Sequence, residues 1–423
     1  MTLHDDDTNV SRPRRSLAVL WPTIATLVIT VAWVLIIPTP IDLRIYRDCV
    51  RAMLHAPETL YTATSVSGLG FTYPPFAAIA LIPLTLLPFR AATILHHAVS
   101  ATALVIMIDV VWRRCGRRPS GVLTAVVAVI LVASEPIGKS FACGQVNLQL
   151  ALLVVLDVFV LPRKWRGVGV GVATGFKLTP GIFALWYLVT GQFKAALRAA
   201  GTGVATIALG FAIAPTASWQ YWTHYMITPK RLGGLTWAGN QSLSGMLLRL
   251  GLGDLTLIWL VLVAVCCLFA GISSRRLWQQ GDADQVWSLL CAGLCGCLVS
   301  PVSWSHHWVW APLLIVAGLA DRRRDRHILA FLWAFAALTW MVWWFPAGND
   351  LEIAAPWWQK VLTDPYEILG IGSLLALARN NHASVTRHEA GGPSPARGPS
   401  PRIVDTVVVD YAAVGSVAAR RAS

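Results

Sequence analysis

The run LAVLWPTIATLVITVAWVLII, residues 17–37, passes 21 positions without a charged side chain. About 20 consecutive apolar residues suffice to cross the hydrocarbon core of a bilayer. The run is too long and too aromatic for a signal-peptide core, and no small-residue cleavage site follows it, so it reads as a retained signal anchor. Further apolar windows lie near 92–112, 120–136, 145–161, 193–214, 255–272, 285–301, 308–320, 327–345 and 363–378. Only 13% of the residues are charged, where a soluble domain carries roughly 25%. The fold class implied is an all-α polytopic membrane protein.

A net charge of +13 could point to nucleic acid, but just over half of the 34 Lys and Arg residues sit in short clusters between apolar runs. Those clusters are RPRR (12–15), RRCGRR (113–118), RKWR (163–166), Lys194 with Arg198, Arg275 with Arg276, and DRRRDR (321–326). In a membrane protein such clusters mark the cytoplasmic ends of the spans, so no nucleic-acid partner is expected. The alternation closes only if 167–190 crosses outward and returns, because basic residues flank both its ends. Its middle, GVATGFKLTPGIF, places Lys177 and Pro180 at the break of two half-spans, giving about twelve crossings. Broken helices are tolerated where they line a cavity. Lys177 there is either a functional cation or a side chain snorkelling to the interface. YPPFAAIALIPLTLLPF (73–89), with four prolines, reads as a re-entrant or interfacial element on the outer face.

With that orientation the unusual polar groups emerge on the outer side. Asp42 follows the first span and reads either as a helix N-cap or as a functional carboxylate. Asp48 reads as a partner for Arg47 or Arg51, and Lys177 as the only strong interior ion in the first half of the chain. Gln145 and Asn147 could cap a helix or bond a sugar hydroxyl. Asn240-Gln241-Ser242 also fits a glycosylation sequon. Adjacent histidines such as His306 and His307 cannot form an i, i+4 metal pair. The tryptophans beside them, Trp304 and Trp308, suit an aromatic belt or a sugar-stacking surface. Five of the eight cysteines lie in apolar spans as small buried side chains, while Cys49 and Cys143 could pair on the outer side. A transporter would concentrate such groups near the midplane and show repeats; a membrane enzyme places them at the interface.

The ordered motifs DLRIY, FTYPPFAAIALIPLTLLPF, GQVN, GVATGFKLTP, NQS and SPVSWSHHWVW resemble those of the actinobacterial polyprenol-phosphate-mannose-dependent alpha-1,2-mannosyltransferases, membrane glycosyltransferases of the GT-C superfamily. The resemblance implies a GT-C type bundle with outer juxtamembrane helices, in the plasma membrane, with its site on the periplasmic face. It implies a polyprenyl phosphate mannose donor, a mannosylated phosphatidylinositol or lipoglycan acceptor, and inversion at the anomeric centre. Asp42 would be the catalytic base. His307, with His306 as its possible substitute, would lie near the donor phosphate; Lys177, Tyr46, Tyr73, Gln145 and Asn147 are the further candidates for binding donor phosphate or sugar, and Asn240, Gln241, Trp304 and Trp308 those for acceptor or sugar. No cofactor and no metal site are implied. A single base fits such chemistry, because a phosphate leaving group needs stabilising cations and no protonating acid.

The residues just before GQ, Ala142 and Cys143, depart from the family pattern, so acceptor contacts there are expected to differ. An arabinofuranosyltransferase using a polyprenyl phosphate donor, and a lipid-linked sugar transporter, are the competing expectations. The chain divides into a cytoplasmic segment 1–16 that includes the acidic run at 5–7, a transferase domain 17–380, and a Gly-, Pro- and Ser-rich cytoplasmic tail 381–423.

Overall fold

The computed structural model describes residues 13–228, 233–253 and 255–379, with side chains from residue 20. The acidic run at 5–7, most of segment 1–16 and the tail 381–423 lie outside the described residues. Among the described residues every regular element is helical, and the extended pairings are two isolated bridges.

Helix α1 (Pro13–Ile36) breaks at the Pro38-Pro40 region and turns by 81° into α2 (Ile41–His55). Five charged side chains in α2 (Asp42, Arg44, Arg47, Asp48, Arg51) suit a helix lying along a membrane surface, not one crossing it. Short α3 (Pro75–Thr85) follows, then long α4 (Phe89–Arg114). Helix α5 (Gly121–Val132) bends by 75° into α6 (Glu135–Cys143), and a tight turn leads to α7 (Asn147–Phe159). Next come α8 (Val168–Phe176), α9 (Ile182–Val189), α10 (Phe193–Ile213), α11 (Pro215–Thr223) and α12 (Leu243–Arg249). The remaining elements are α13 (Thr256–Trp278), α14 (Asp282–Val299), α15 (Trp310–Ala320), α16 (Arg324–Leu338), α17 (Leu351–Ala354), α18 (Trp357–Thr363) and α19 (Pro365–Arg379).

Among the described residues, five of these segments are long and apolar enough to cross a membrane alone, and counting each bent pair as one span raises that to eight. The protein is therefore embedded in a membrane, and among the described residues fewer helices than the twelve or so expected are of full crossing length. The difference lies in apolar helices of 10–17 residues, such as α3, α7 and α15. At 1.5 Å per residue these reach about 15–25 Å, short of a core about 30 Å thick. Burial separates the long helices by role. Only 17% of the apolar window of α13 is buried within the chain, against 67% for α14, so α13 faces lipid and α14 forms the centre.

The region 167–190 breaks at Lys177, whose backbone is extended between α8 and a single tight turn at Thr179–Gly181. Small residues position this break. A Cβ on Gly171 would lie 2.5 Å from the Thr202 Cβ, and one on Gly175 would lie 2.1 Å from the Thr206 hydroxyl. The Gly-x-x-x-Gly spacing thus lets α8 lie against α10 at a separation that larger side chains forbid.

Several ionic groups are buried that hydropathy did not flag, so Lys177 is not the only interior ion of the first half. Asp157 accepts from the backbone N–H groups of Gly167 (2.7 Å) and Gly169 (2.8 Å) and from the Tyr187 hydroxyl (2.6 Å), fixing the α7–α8 turn. Arg249 on α12 bonds Asp364 (2.7 Å from Nε) and Glu367 (3.0 Å), tying α12 to the α18–α19 corner. Asp48 pairs with Arg44 (3.8 Å) and accepts from the Ser65 hydroxyl (2.7 Å), in place of the expected Arg47 or Arg51. No disulfide joins Cys49 and Cys143; the Cys49 thiol faces the Ala63 carbonyl at 3.4 Å.

Gly175→Leu is expected to destabilise the protein by about 1–3 kcal/mol through overpacking, read as a lower thermal midpoint in detergent. An unchanged midpoint would show that α8 and α10 are not in close contact.

Candidate active site

A cavity of about 340 Å³ brings together side chains far apart in sequence: Asp42, Tyr46, Tyr73, Gln145, Lys177, Trp304 and His307, with Thr72, Tyr221 and Tyr225 also in the lining. Asp42 sits in the first turn of α2, after Pro40. Its carboxylate accepts from the Gln145 amide (2.7 Å). The Tyr73 hydroxyl donates to the Gln145 carbonyl oxygen (2.8 Å) and lies 3.0 Å from the Tyr46 hydroxyl. Three elements, α2, the approach to α3 and the α6–α7 turn, are thereby joined through one amide.

The sequence GQVN explains that turn. Gly144 ends α6 in the left-handed conformation (φ +72°), and its added Cβ would fall 2.8 Å from both Pro40 and Leu43. Glycine is required on both counts. Only because α2 packs this closely can Gln145 reach Asp42. Two residues on, Asn147 begins α7 and works in two directions. Its side-chain oxygen accepts from Lys177 Nζ (2.9 Å), and its amide nitrogen donates to the His306 carbonyl (2.8 Å).

Lys177 Nζ also lies 2.9 Å from His307 Nε2 and 5.2 Å from the Tyr73 ring centroid. When Lys177 is protonated its ammonium only donates, so Nε2 then accepts and the ring proton resides on Nδ1. That Nδ1 is buried and has no hydrogen-bond partner, as is the Nε2 of His306. Burial, then the Lys177 charge, holds His307 well below the ordinary histidine range, keeping it neutral. Burial pushes the Asp42 carboxyl up to about 6, against the Gln145 hydrogen bond and the Lys177 charge that favour its ionised form. A carboxylate and a cation with a neutral imidazole thus face one space. Among the described residues, no three His, Cys, Asp or Glu side chains gather as a metal-holding group.

The histidine turn is held from behind by a residue that the sequence reading missed. Glu135, fully buried at the start of α6, accepts from the Ser305 hydroxyl (2.6 Å), the Trp343 indole (2.9 Å) and the Tyr366 hydroxyl (2.9 Å). The one available signal was its neighbour Pro136, because Ser-Glu-Pro marks a helix start.

Three expected sugar-binding residues are placed elsewhere. Asn240 is fully buried, donating to the Leu235 carbonyl (2.9 Å) and accepting from the Ser303 N–H (3.0 Å), so it is also closed to glycosylation. Gln241 is fully buried, its amide donating to the carbonyls of Ala238 and Thr363 (both 2.8 Å) and accepting from the Tyr366 N–H (3.2 Å). Trp308 is fully buried against Trp333 and Tyr366, its indole donating to the Gln241 carbonyl (3.0 Å). NQS and the 300–308 strip are laced together, with Asn240 bridging Trp304 across the chain. Of the two aromatic candidates only Trp304 reaches the cavity, and of the two histidines only His307 does.

The profile of glycosyltransferase family 87 matches residues 71–301. A Mycolicibacterium smegmatis protein named polyprenol-phosphate-mannose-dependent alpha-(1-2)-phosphatidylinositol mannoside mannosyltransferase is 36% identical over 75% of this chain and 78% of its own length. Its Mycobacterium tuberculosis namesake is 34% identical over 78% and 83%. A second M. tuberculosis protein, named for a phosphatidylinositol pentamannoside acceptor, is 32% identical over 77% and 79%. No solved structure matches the chain significantly.

Infrared difference spectroscopy is expected to titrate a protonated carboxyl with a midpoint near pH 6 that disappears in Asp42→Asn. Gln145→Ala removes a bond to the ionised form, so the midpoint should rise. A midpoint unmoved by Gln145→Ala would show that the amide does not bond the carboxylate.

Proposed function

This chain belongs to glycosyltransferase family 87, and on that premise we propose that it moves mannose from polyprenyl phosphate mannose to a mannoside hydroxyl of a phosphatidylinositol mannoside, forming an alpha-1,2 linkage. The names of its relatives support the donor and the acceptor class. The single observation that carries the mechanism is the pairing of Asp42 with the Lys177–His307 contact across one cavity.

Asp42 accepts the proton of the acceptor hydroxyl. The oxygen attacks the anomeric carbon from the face opposite the phosphate, the carbon–oxygen bond to phosphate breaks, and polyprenyl phosphate leaves with the electron pair. A beta-linked donor gives an alpha-linked product, so the centre inverts through an oxocarbenium-like state. Lys177 stabilises the negative charge developing on the leaving phosphate. The unpartnered Nδ1–H of His307 is a further donor that a phosphate oxygen would satisfy. Gln145 holds the carboxylate in place while Tyr73 orients Gln145. Above pH 6 or so the base is ionised.

Trp304, half-buried at the cavity wall, offers an indole face to a sugar ring. The basic clusters between spans support a periplasmic site in the plasma membrane.

Loss of a general base costs on the order of 10²–10⁴ in rate. Asp42→Asn is therefore expected to lose at least 10²-fold in kcat with donor affinity kept, and His307→Ala to raise the donor KM more than the acceptor KM. Assays of the purified protein with synthetic donor and acceptor measure both. Normal transfer by Asp42→Asn would overturn the base assignment.

A further inference from the structure

Helix α2 presents Asp42 and Tyr46 to the cavity, but three arginines occupy its other side. At about 100° per residue, Arg44, Arg47 and Arg51 fall within an arc of roughly 60°, centred well over 120° from Asp42. The guanidiniums of Arg44 and Arg47 converge on one ring, with their central carbons 5.3 Å and 5.2 Å from the Phe89 centroid. Cations gathered on one helix face repel unless something negative lies beside them.

The protein supplies little that is negative. Arg47 Nη2 donates to the Leu87 carbonyl (2.5 Å) and Arg51 Nη2 to the Thr85 carbonyl (2.9 Å). Among the described residues, Asp48 is the one carboxylate that pairs with this face. It stands 3.8 Å from Arg44 Nε and already accepts from Ser65. Three positive charges thus meet one carboxylate. Arg47, 98% buried by exposure, leaves Nε and Nη1 without partners, and Arg44 Nε has none either. Each unused N–H is a donor that a phosphate oxygen would satisfy.

The surroundings say where that phosphate comes from. Helix α2 turns by 81° from α1, and its five charged side chains suit a helix lying along the membrane surface. Leu86, at the turn that Arg47 and Arg51 clasp, is 76% exposed, and Leu54 on α2 is 50% exposed. Basic side chains beside exposed leucines at an interface suit a headgroup with acyl chains below it. We propose that the arginine face of α2 docks the phosphate of an anionic membrane phospholipid. The lipid neutralises the converging guanidiniums and braces the helix whose opposite side carries Asp42. The site is separate from the sugar-transfer reading, because its readout is lipid retention and not catalysis.

The test is native mass spectrometry of the full-length protein released from detergent with added phosphatidylglycerol or phosphatidylcholine of matched chains. Wild type should retain phosphatidylglycerol preferentially. Arg44→Gln combined with Arg51→Gln should cut that preference on the order of tenfold, while Arg44→Lys with Arg51→Lys keeps most of it. The thermal midpoint without lipid checks folding; if the double variant fails to fold, Arg51→Gln alone, at an exposed position, should lose several-fold. Equal retention of both lipids by wild type, or an undiminished preference in a folded glutamine variant, would overturn the proposal. So would full displacement by millimolar inorganic phosphate, which would make this a site for the soluble anion.

Discussion

The hydrogen bond from Gln145 to Asp42 fixes how three parts of the chain, already packed through Leu43, Tyr46 and Tyr73, present their polar groups to one cavity. An amide can give and receive at once, so the same side chain that steadies the carboxylate is steadied by Tyr73. Asn147 repeats the device two residues later, receiving from Lys177 and giving to the His306 carbonyl. One four-residue turn therefore sets the separation between the anionic and cationic halves of the cavity. Its geometry rests in turn on Gly144, where any side chain would collide with the start of α2.

Buried charge is costly, and in a membrane protein it is retained mostly where something is gained by it. Several of the buried titratable groups here fall into two kinds. Asp157, and Arg249 with Asp364 and Glu367, are spent on backbone and side-chain partners that close corners of the bundle. Asp42, Lys177 and His307 keep a face towards open space. Glu135 stands between the kinds: its partners include Ser305, one residue before the histidine pair, so a structural carboxylate fixes the backbone on which a functional imidazole rides.

Much of this is legible in the sequence. Long uncharged runs dictated apolar helices, and Lys177 flanked by Gly and Pro marked the break between α8 and α9, because no helix continues easily through GFKLTP. The convergence of Asp42, Gln145, Lys177 and His307 was inferred from topology and resemblance, and these residues do line one cavity. The count of crossings was less accessible, because a short apolar helix packed inside a bundle and a full span look alike to hydropathy. Asn240, Gln241 and Trp308 misled for a different reason. A polar motif beside an aromatic one suits a sugar site and an interior hydrogen-bond lacing equally well, and only the partners, here Ser303, Thr363 and the Gln241 carbonyl, tell them apart. Glu135 was invisible because its three partners lie 170 to 231 residues away.

The central claim is that a phosphate leaves towards Lys177 and His307 while Asp42 faces it across the same space. A cryo-electron microscopy structure with a polyprenyl phosphate, or a non-transferable donor analogue, tests this most directly. The account predicts phosphate oxygens within about 3 Å of Lys177 Nζ and the His307 ring, with the sugar-facing side open to Asp42. A phosphate seated out of reach of both Lys177 and His307 would contradict it.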